Sequence, residues 1–350
     1  MALTFFTRFS MKKKSSATRL EDVLRCPYCH KKLFRVNQYT LRCCCDTFPI
    51  VHNIAYLKKG PQLKQTRAIA LMKKGYFFAA TLLLLDSRNV ANYLILFAPF
   101  VPLFYILRLL EICYPSEKKW WQYLRARDLR ATHLLSLATL GAIQKNDVVV
   151  DICCGQGNFL KYAAAWTPAK TLIGIDSSLF LLLIARKYFV PTGVVLVCAD
   201  INKGVPLQNR HTSRAFMNDC FMYVDQKTAV NELLRILKIE GEAFLTHVHN
   251  QGKNNLGQGL GISPLSLRTL TGGIFHIQHI TDEGFFSAIV GKARIPYNPI
   301  GLHAVFAERS YSYYLASRPR TFPFTIPHMI YTYTKTHPID LTEDTNLYIK

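Results

Sequence analysis

VVVDICCGQGNFL, residues 148–160, opens on an apolar run, drops through two cysteines into Gly155 and Gly157, and returns to apolar residues at helical spacing. Three consecutive valines favour a buried strand, and the two glycines permit the left-handed backbone of a tight turn. A strand, a glycine turn and a helix in that order aim main-chain N–H groups and a helix N-terminus at one point, which suits a nucleotide-like ligand. Cys153 stands where a glycine is expected. Alone, the turn fits several ligands, so its meaning depends on what surrounds it.

Short apolar runs recur at 147–152, 171–176, 193–200, 214–219 and 242–248, with helical stretches between them, notably 225–238. Buried strands alternating with helices argue for a largely parallel sheet covered by helices on both faces. In such a sheet ligands sit at the carboxyl ends of the strands, where strand order reverses. Acids occupy those ends: Asp151 in the first run, Asp176 in LIGIDSS, Asp200 in VVLVCADI. A carboxylate at Asp176, beside Ser177, can accept both hydroxyls of a ribose. One at Asp200 can accept from an adenine amino group while Ile201 offers a main-chain donor. Each acid alone reads equally as a helix N-cap or a surface ion pair; three in register describe an adenosine with a positive or zwitterionic tail. A nicotinamide dinucleotide competes, but its G-x-G-x-x-G turn needs a small residue where Leu160 stands.

Together VVVDICCGQGNFL, LIGIDSS, VCADI and NELLRILKIEGEAFL resemble the successive motifs of class I S-adenosylmethionine-dependent methyltransferases, in the usual order, across residues 146–250. The resemblance implies an α/β fold with a Rossmann-like, mostly parallel seven-stranded sheet, and S-adenosyl-L-methionine as cofactor. It implies a cofactor site drawn from Asp151, Cys153, Gly155, Gly157, Asp176, Ser177, Asp200, Ile201 and Asp219. The chain departs from the pattern at Cys153, at Ser213, where an acid often begins the fourth strand, and at the turn Ile239-Glu240-Gly241. Methyl transfer asks mainly for positioning, with a base for some acceptors. Alternation along the fifth strand puts His247 and His249 on one face, with His249 and Asn250 near its carboxyl end; these three are the candidate catalytic residues. Tyr223 is a candidate for the pocket wall. Asn218-Asp219-Cys220-Phe221 echoes the Asn-Pro-Pro-aromatic motif of amino-methylating enzymes without its prolines.

Near the N-terminus, LRCPYCHKKL and YTLRCCCDTFPIVHNIAYL have the outline of a zinc ribbon: a Cys-x-x-Cys knuckle, a gap of 13 residues, a second cysteine group and an apolar strand. Tetrahedral zinc takes four ligands, and so small a unit needs a staple. Cys26, Cys29 and Cys43 are the clear ligands. The fourth lies among Cys45, Cys44, Asp46 and His52, with Cys45 placed first, and a metal-free ribbon is the alternative. FPIVHNIAYL is similar to the end of the small zinc-ribbon proteins that activate tRNA and rRNA methyltransferases, and to ribbons fused ahead of bacterial methyltransferases.

These features divide the chain into a basic tail (1–20), a ribbon-like module (21–60), an apolar helical insertion (61–119), a methyltransferase domain (120–320) and a C-terminal tail (321–350). Residues 120–142 read as one amphipathic helix, and 310–320 as a strand that finishes the sheet. Ala91 to Leu107 runs 17 residues without a charge, the lower limit for a span, with Pro99 and Pro102 interrupting it. A lid over a greasy pocket, a monotopic helix and a transmembrane span are the open readings, so 76–113 is a candidate for peripheral membrane contact. The net charge is +21, and residues 1–75 carry sixteen Lys/Arg against three acids, which favours RNA or an anionic membrane surface as partner. Clustered cysteines fit a reducing, cytoplasmic compartment, though the basic segment 1–20 also suits a mitochondrial presequence. The expected acceptor is a lipophilic small molecule or lipid. RNA methylation comes second, and a non-catalytic adaptor third.

Overall fold

The computed structural model describes residues 20–60, 62–85, 101–126, 136–137, 139–249, 261–270, 276–282 and 285–291. After helix α1 (Leu20–Val23), the cysteine module forms strands β1 (Phe34–Asn37), β2 (Thr40–Arg42), β3 (Thr47–Val51) and β4 (Ile54–Tyr56). His52 and Asn53 take positive φ at the turn between β3 and β4, a conformation Asn tolerates better than most residues. Helices α2 (Gln62–Lys73) and α3 (Phe77–Leu84) follow, then α4 (Leu103–Cys113) and α5 (Lys118–Ala126).

The five apolar runs become β5 (Val148–Ile152), β6 (Thr171–Asp176), β7 (Val195–Cys198), β8 (Thr212–Asn218) and β9 (Leu237–His249). Between them lie α6 (Asn158–Trp166), α7 (Leu179–Ile184) and α8 (Gln226–Ile236), the last N-capped by Asp225, which accepts from the Thr228 N–H. After α9 (Pro264–Leu270), β10 (His276–Asp282) and β11 (Phe285–Gly291) close the sheet as an antiparallel hairpin. The stretch 310–320, expected to finish the sheet, lies outside the described residues, as do the tail 1–19 and residues 321–350.

Strand order is β1-β2-β3-β4-β7-β6-β5-β8-β9-β11-β10. The seven strands from β7 to β10 make the expected Rossmann-like sheet, and the pairs β7–β6, β6–β5, β5–β8 and β8–β9 are parallel. The cysteine module adds four strands at the β7 edge, because β4 pairs parallel to β7 with Ala55 opposite Val197. An eleven-stranded sheet results, with one continuous hydrogen-bonded surface from ribbon to catalytic unit. β5 is buried along its whole length and lies between β6 and β8, so the chain leaves it in opposite directions and opens a crevice at its carboxyl end. On one face Phe159, Phe216 and Phe244 pack in a row, with ring centroids 4.6 and 4.9 Å apart, and lock α6 onto β8 and β9.

The apolar insertion divides. Ala80, Leu84 and Leu85 are buried in the core that α3 shares with β3, β4 and β6, which takes them out of any membrane contact. Residues 86–100, most of the uncharged run, lie outside the described residues. Helix α4 packs Ile106, Leu107 and Leu110 against Trp121 and Leu124 of α5 and Ile184 of α7. Buried Glu111 joins the two helices, accepting from Arg108 at 3.2 Å and from Gln122 at 2.7 Å. Among the described residues no helix is long and apolar enough to cross a membrane. Of the stretch 120–142, expected to form one helix, the described residues show α5 through Ala126 and a 3₁₀ turn over Thr139–Ala142, while 127–135 lie outside the described residues.

Candidate cofactor and substrate site

The loop after β5 folds back on β6. The Cys154 N–H donates to the Ile175 carbonyl at 3.0 Å, and the Gly155 N–H to Asp176 Oδ2 at 2.8 Å. Gly157 caps α6 with φ of +80°, and a Cβ there would lie 3.0 Å from Ala185 Cβ and from Val190 Cγ1, so both backbone and space require glycine. Cys153 takes φ of +60° without being glycine. That conformation costs a side-chain-bearing residue about 1 kcal/mol. Replacing Cys153 by Gly relieves this and adds unfolded-chain entropy of about the same size, so stability is expected within about 1 kcal/mol of the parent. Affinity for S-adenosylmethionine, read by calorimetry, is expected to be equal or up to about tenfold tighter. A tenfold loss would mean that the thiol itself holds the ligand.

The acids converge on this turn. Asp176 is buried, and its Oδ1 accepts from the Ser178 N–H at 2.8 Å. Burial holds its carboxyl above the ordinary aspartate range, while the N–H donors of Ser178 and Gly155 and the charge of Lys58 pull the other way. Lys58, which leaves the ribbon after β4, donates to the Ser177 carbonyl at 3.2 Å. Asp200 Oδ1 accepts from the Asn202 N–H at 3.0 Å, so the cap reading of this acid is realised, at a position that also borders the cavity. Asp151 is held from behind by a buried chain: Asn218 Nδ2 donates to it at 3.4 Å, Thr246 Oγ1 donates to Asn218 at 2.8 Å, and Ser136 lies 2.9 Å from Thr246.

A cavity of about 840 Å³ opens at these strand ends. Eight of the nine candidate cofactor residues line it: Asp151, Cys153, Gly155, Asp176, Ser177, Asp200, Ile201 and Asp219. The ninth, Gly157, shapes the turn from beneath. Its size and its ring of acceptors fit an adenosine carrying a cationic sulfonium and an amino-acid tail. Trp120, Tyr123 and Leu124 of α5, with Tyr223 and Val224, form a further part of its wall. Trp120 and Tyr123 stack, with centroids 5.7 Å apart and planes within 13°. Buried Gln156 fastens this wall to the turn, its Nε2 donating to the Leu124 carbonyl at 2.8 Å. Trp120, Tyr123 and Leu124 carry no motif signal beyond the helical periodicity read over 120–142, whereas Gln156 lies within the glycine turn.

The histidines fall differently from a regular strand. His247 has φ of +56° within β9, and the pairing with β11 shifts register between Phe286 and Ala288. This bulge breaks the alternation that put His247 and His249 on one face. His247 is buried, with Nε2 3.6 Å from Asp219 Oδ1, and Asp219 rather than His247 borders the cavity. The side chain of His249 and all of Asn250 lie outside the described residues.

In the ribbon, Cys26, Cys29, Cys43 and Cys45 bring their sulfurs within 4.8 Å of one another. Four thiols at that spacing suit tetrahedral zinc. Burial pushes Cys26 up to about 11. Burial also raises Cys29, but the Lys31 N–H and the neighbouring thiols outweigh it, leaving this thiol at about 7. His52 is engaged elsewhere, with Nε2 3.1 Å from Thr81 Oγ1. Cys44 is exposed, with Sγ 3.6 Å from Cys29 Sγ.

Residues 149–241 match the family model described as a methyltransferase domain. The chain therefore carries a methyltransferase domain over that segment, with S-adenosyl-L-methionine as its cofactor. No curated protein matches the chain. Among solved structures, 60% of this chain aligns with 100% of a chain from the complex between the Haloferax volcanii Trm112 methyltransferase activator and a methyltransferase, at 15% identity and a TM-score of 0.43. A second alignment pairs 47% of the chain with 53% of Haemonchus contortus phosphoethanolamine N-methyltransferase 2 in complex with phosphomonomethylethanolamine and S-adenosylhomocysteine, at 14% identity and a TM-score of 0.40. A third pairs 53% of it with 99% of an S-adenosylmethionine-dependent methyltransferase from Thermotoga maritima, at 21% identity and a TM-score of 0.38.

Proposed function

We propose that this methyltransferase acts on a lipophilic small-molecule or lipid acceptor. One observation carries the reading: beside polar groups such as Ser116, Lys119 and Asn202, the cavity is lined by an aromatic and apolar set, Trp120, Tyr123 and Leu124 of α5 with Tyr223 and Val224. Such a wall stabilises an apolar acceptor by excluding water and offers few partners to a polar one. When bound, S-adenosylmethionine supplies an electrophilic sulfonium methyl. In this reading Asp176 accepts the ribose hydroxyls, Asp200 and Ile201 hold the adenine edge, and the main chain of 153–157 with Asp151 holds the amino-acid end. The remaining task is to orient the acceptor's lone pair toward the methyl, which is positioning catalysis. Where the acceptor carries a proton, Asp219 is the group on the cavity wall to take it, with His247 behind it to stabilise the charge. The cysteines clustered at metal-ligand spacing go with a reducing, cytoplasmic setting.

RNA methylation is the second reading, supported by the net charge of +21 and its concentration toward the N-terminus. A partition assay separates the two. Purified protein, tritiated S-adenosylmethionine and a total cell extract are incubated and the products divided into organic and RNA fractions. Label in the organic phase is expected. Label confined to RNA would overturn the lipophilic reading, and label in neither, with the cofactor bound, would favour the adaptor.

A further inference from the structure

Helix α4 has two apolar sides. Ile106, Leu107 and Leu110 face inward and are buried, while Phe104, Tyr105, Leu109 and Ile112 face outward and stay exposed, Ile112 to 71% and Tyr105 to 54%. At 1.5 Å per residue the outward stripe runs about 12 Å along the axis. A helix apolar over most of its circumference belongs in a core or against lipid; here the core claims one side, and on the outward side Arg108 is the one charged residue, half-exposed and paired with Glu111. The outward stripe has an edge of amphipathic rings and cations. Tyr188 donates to the Val101 carbonyl at 3.3 Å, just before α4, and Lys187 lies over the Tyr188 ring. Beyond the other end come exposed Lys118 and Lys119, with Glu117 the one exposed acid between Leu103 and Leu124. Apolar residues flanked by Tyr, Trp and Lys match the gradient from acyl chain to anionic headgroup. An RNA partner would need several free cations on the patch, where Arg108 is the one cation and is paired with Glu111 at 3.2 Å.

The end of α4 leads directly into residues that line the cavity. Ile112 lies four residues before Ser116, and Ser116, Glu117, Lys119 and Trp120 all line the cavity rim. Trp120 is 43% exposed while forming part of the inner wall. We infer that the outward stripe of α4 lies in the surface of an anionic bilayer, with the 116–120 rim facing the headgroups, so that the acceptor enters the cavity from the lipid. This deepens the lipophilic-acceptor reading and rests on it for the acceptor, but not for the docking.

Vesicle flotation of the full chain, without cofactor or acceptor, tests the docking. The protein is expected to float with vesicles of phosphatidylcholine and phosphatidylglycerol, and roughly tenfold less with phosphatidylcholine alone. Leu109→Ser with Ile112→Ser is expected to cut binding to the anionic vesicles by roughly tenfold or more. Leu63→Ser, at a residue 78% exposed on α2, serves as the control for general surface apolarity and is expected to float like the parent. Circular dichroism and melting temperature check that the variants fold. Parent protein that floats with neither vesicle overturns the inference. So does a double variant that floats as well as the parent, because other basic segments would then carry binding, and so does a dimer that the double variant makes monomeric. Organic-phase methylation without flotation would overturn the docking and leave the acceptor reading standing; flotation with label only in RNA would do the reverse.

Discussion

Asp176→Ala is expected to weaken S-adenosylmethionine binding by roughly 30- to 1,000-fold, the effect of removing a charged acceptor from two hydroxyl donors in a water-poor site. The reason lies in how the carboxylate is held. Asp176 ends β6 in a fully buried strand, and main-chain N–H groups from Ser178 and Gly155 orient its two oxygens. Those bonds also tie the loop after β6 to the turn after β5, so the alanine variant loses orientation of the turn as well as the acceptor. Isothermal titration with the cofactor measures the change, and an unchanged dissociation constant would remove Asp176 from the site. Asp176→Asn is the sharper control, since it keeps the shape and one acceptor oxygen while deleting the charge.

The acid's environment sets a pH dependence with opposite signs for folding and binding. Burial holds the folded-state value above that of the unfolded chain. The unliganded protein therefore favours protonated Asp176. Its contribution to stability is greatest below the unfolded value and declines as pH rises through the window up to the folded one. Cofactor affinity runs the other way, because only the ionised carboxylate accepts from both hydroxyls. Affinity is accordingly expected to fall on acidification at a pH above the ordinary aspartate range, and the Asn variant is expected to lose that slope.

Local pattern made β5 to β9 and the acids Asp151, Asp176 and Asp200 legible, because each rests on a short apolar run ended by a polar residue. Three features had no such signal. The join of β4 to β7 pairs Ile54 with Leu196, residues far apart in the chain, and nothing in either stretch names the other. The lining role of α5 depends on contacts from separate segments, the Gln156 bond to the Leu124 carbonyl and the packing of Trp121 and Leu124 on Ile184. The bulge at His247 changes which side chain meets the cavity, and a strand read at a period of two gives no warning of it. The acids follow from periodicity alone, whereas the cavity wall and its candidate base depend on how separate segments dock.

The join at β7 would make a metal held by Cys26, Cys29, Cys43 and Cys45 a matter for the whole enzyme. Stripping zinc with a strong chelator, or Cys26→Ser, is expected to lower stability by roughly 5 kcal/mol or more and the melting temperature by on the order of 10–20 °C. Structural zinc in isolated finger peptides contributes more than that, but here Leu33, Leu41 and Phe48 are buried in the shared core and retain part of the fold. Cys44→Ser, at the exposed thiol outside the set of four, is the matching control and is expected to leave the melting temperature nearly unchanged. Zinc uptake should strengthen as pH rises, because bound thiols must lose their protons and burial holds Cys26 up at about 11. Cofactor affinity is expected to fall with the metal. The knuckle presses on the segment that follows Asp200: a Cβ at Gly204 would strike the Pro27 carbonyl, the Arg25 N–H donates to the Pro206 carbonyl at 3.0 Å, and Leu24 bridges Leu207. Beside Asp176, the Leu57 N–H donates to the Cys198 carbonyl at 2.7 Å, and Lys58 reaches the Ser177 carbonyl. A ribbon that loosens therefore releases the loops that carry Asp200 and Asp176 together. Protein that melts and binds S-adenosylmethionine identically with and without zinc would mean that these contacts hold the ribbon without the metal.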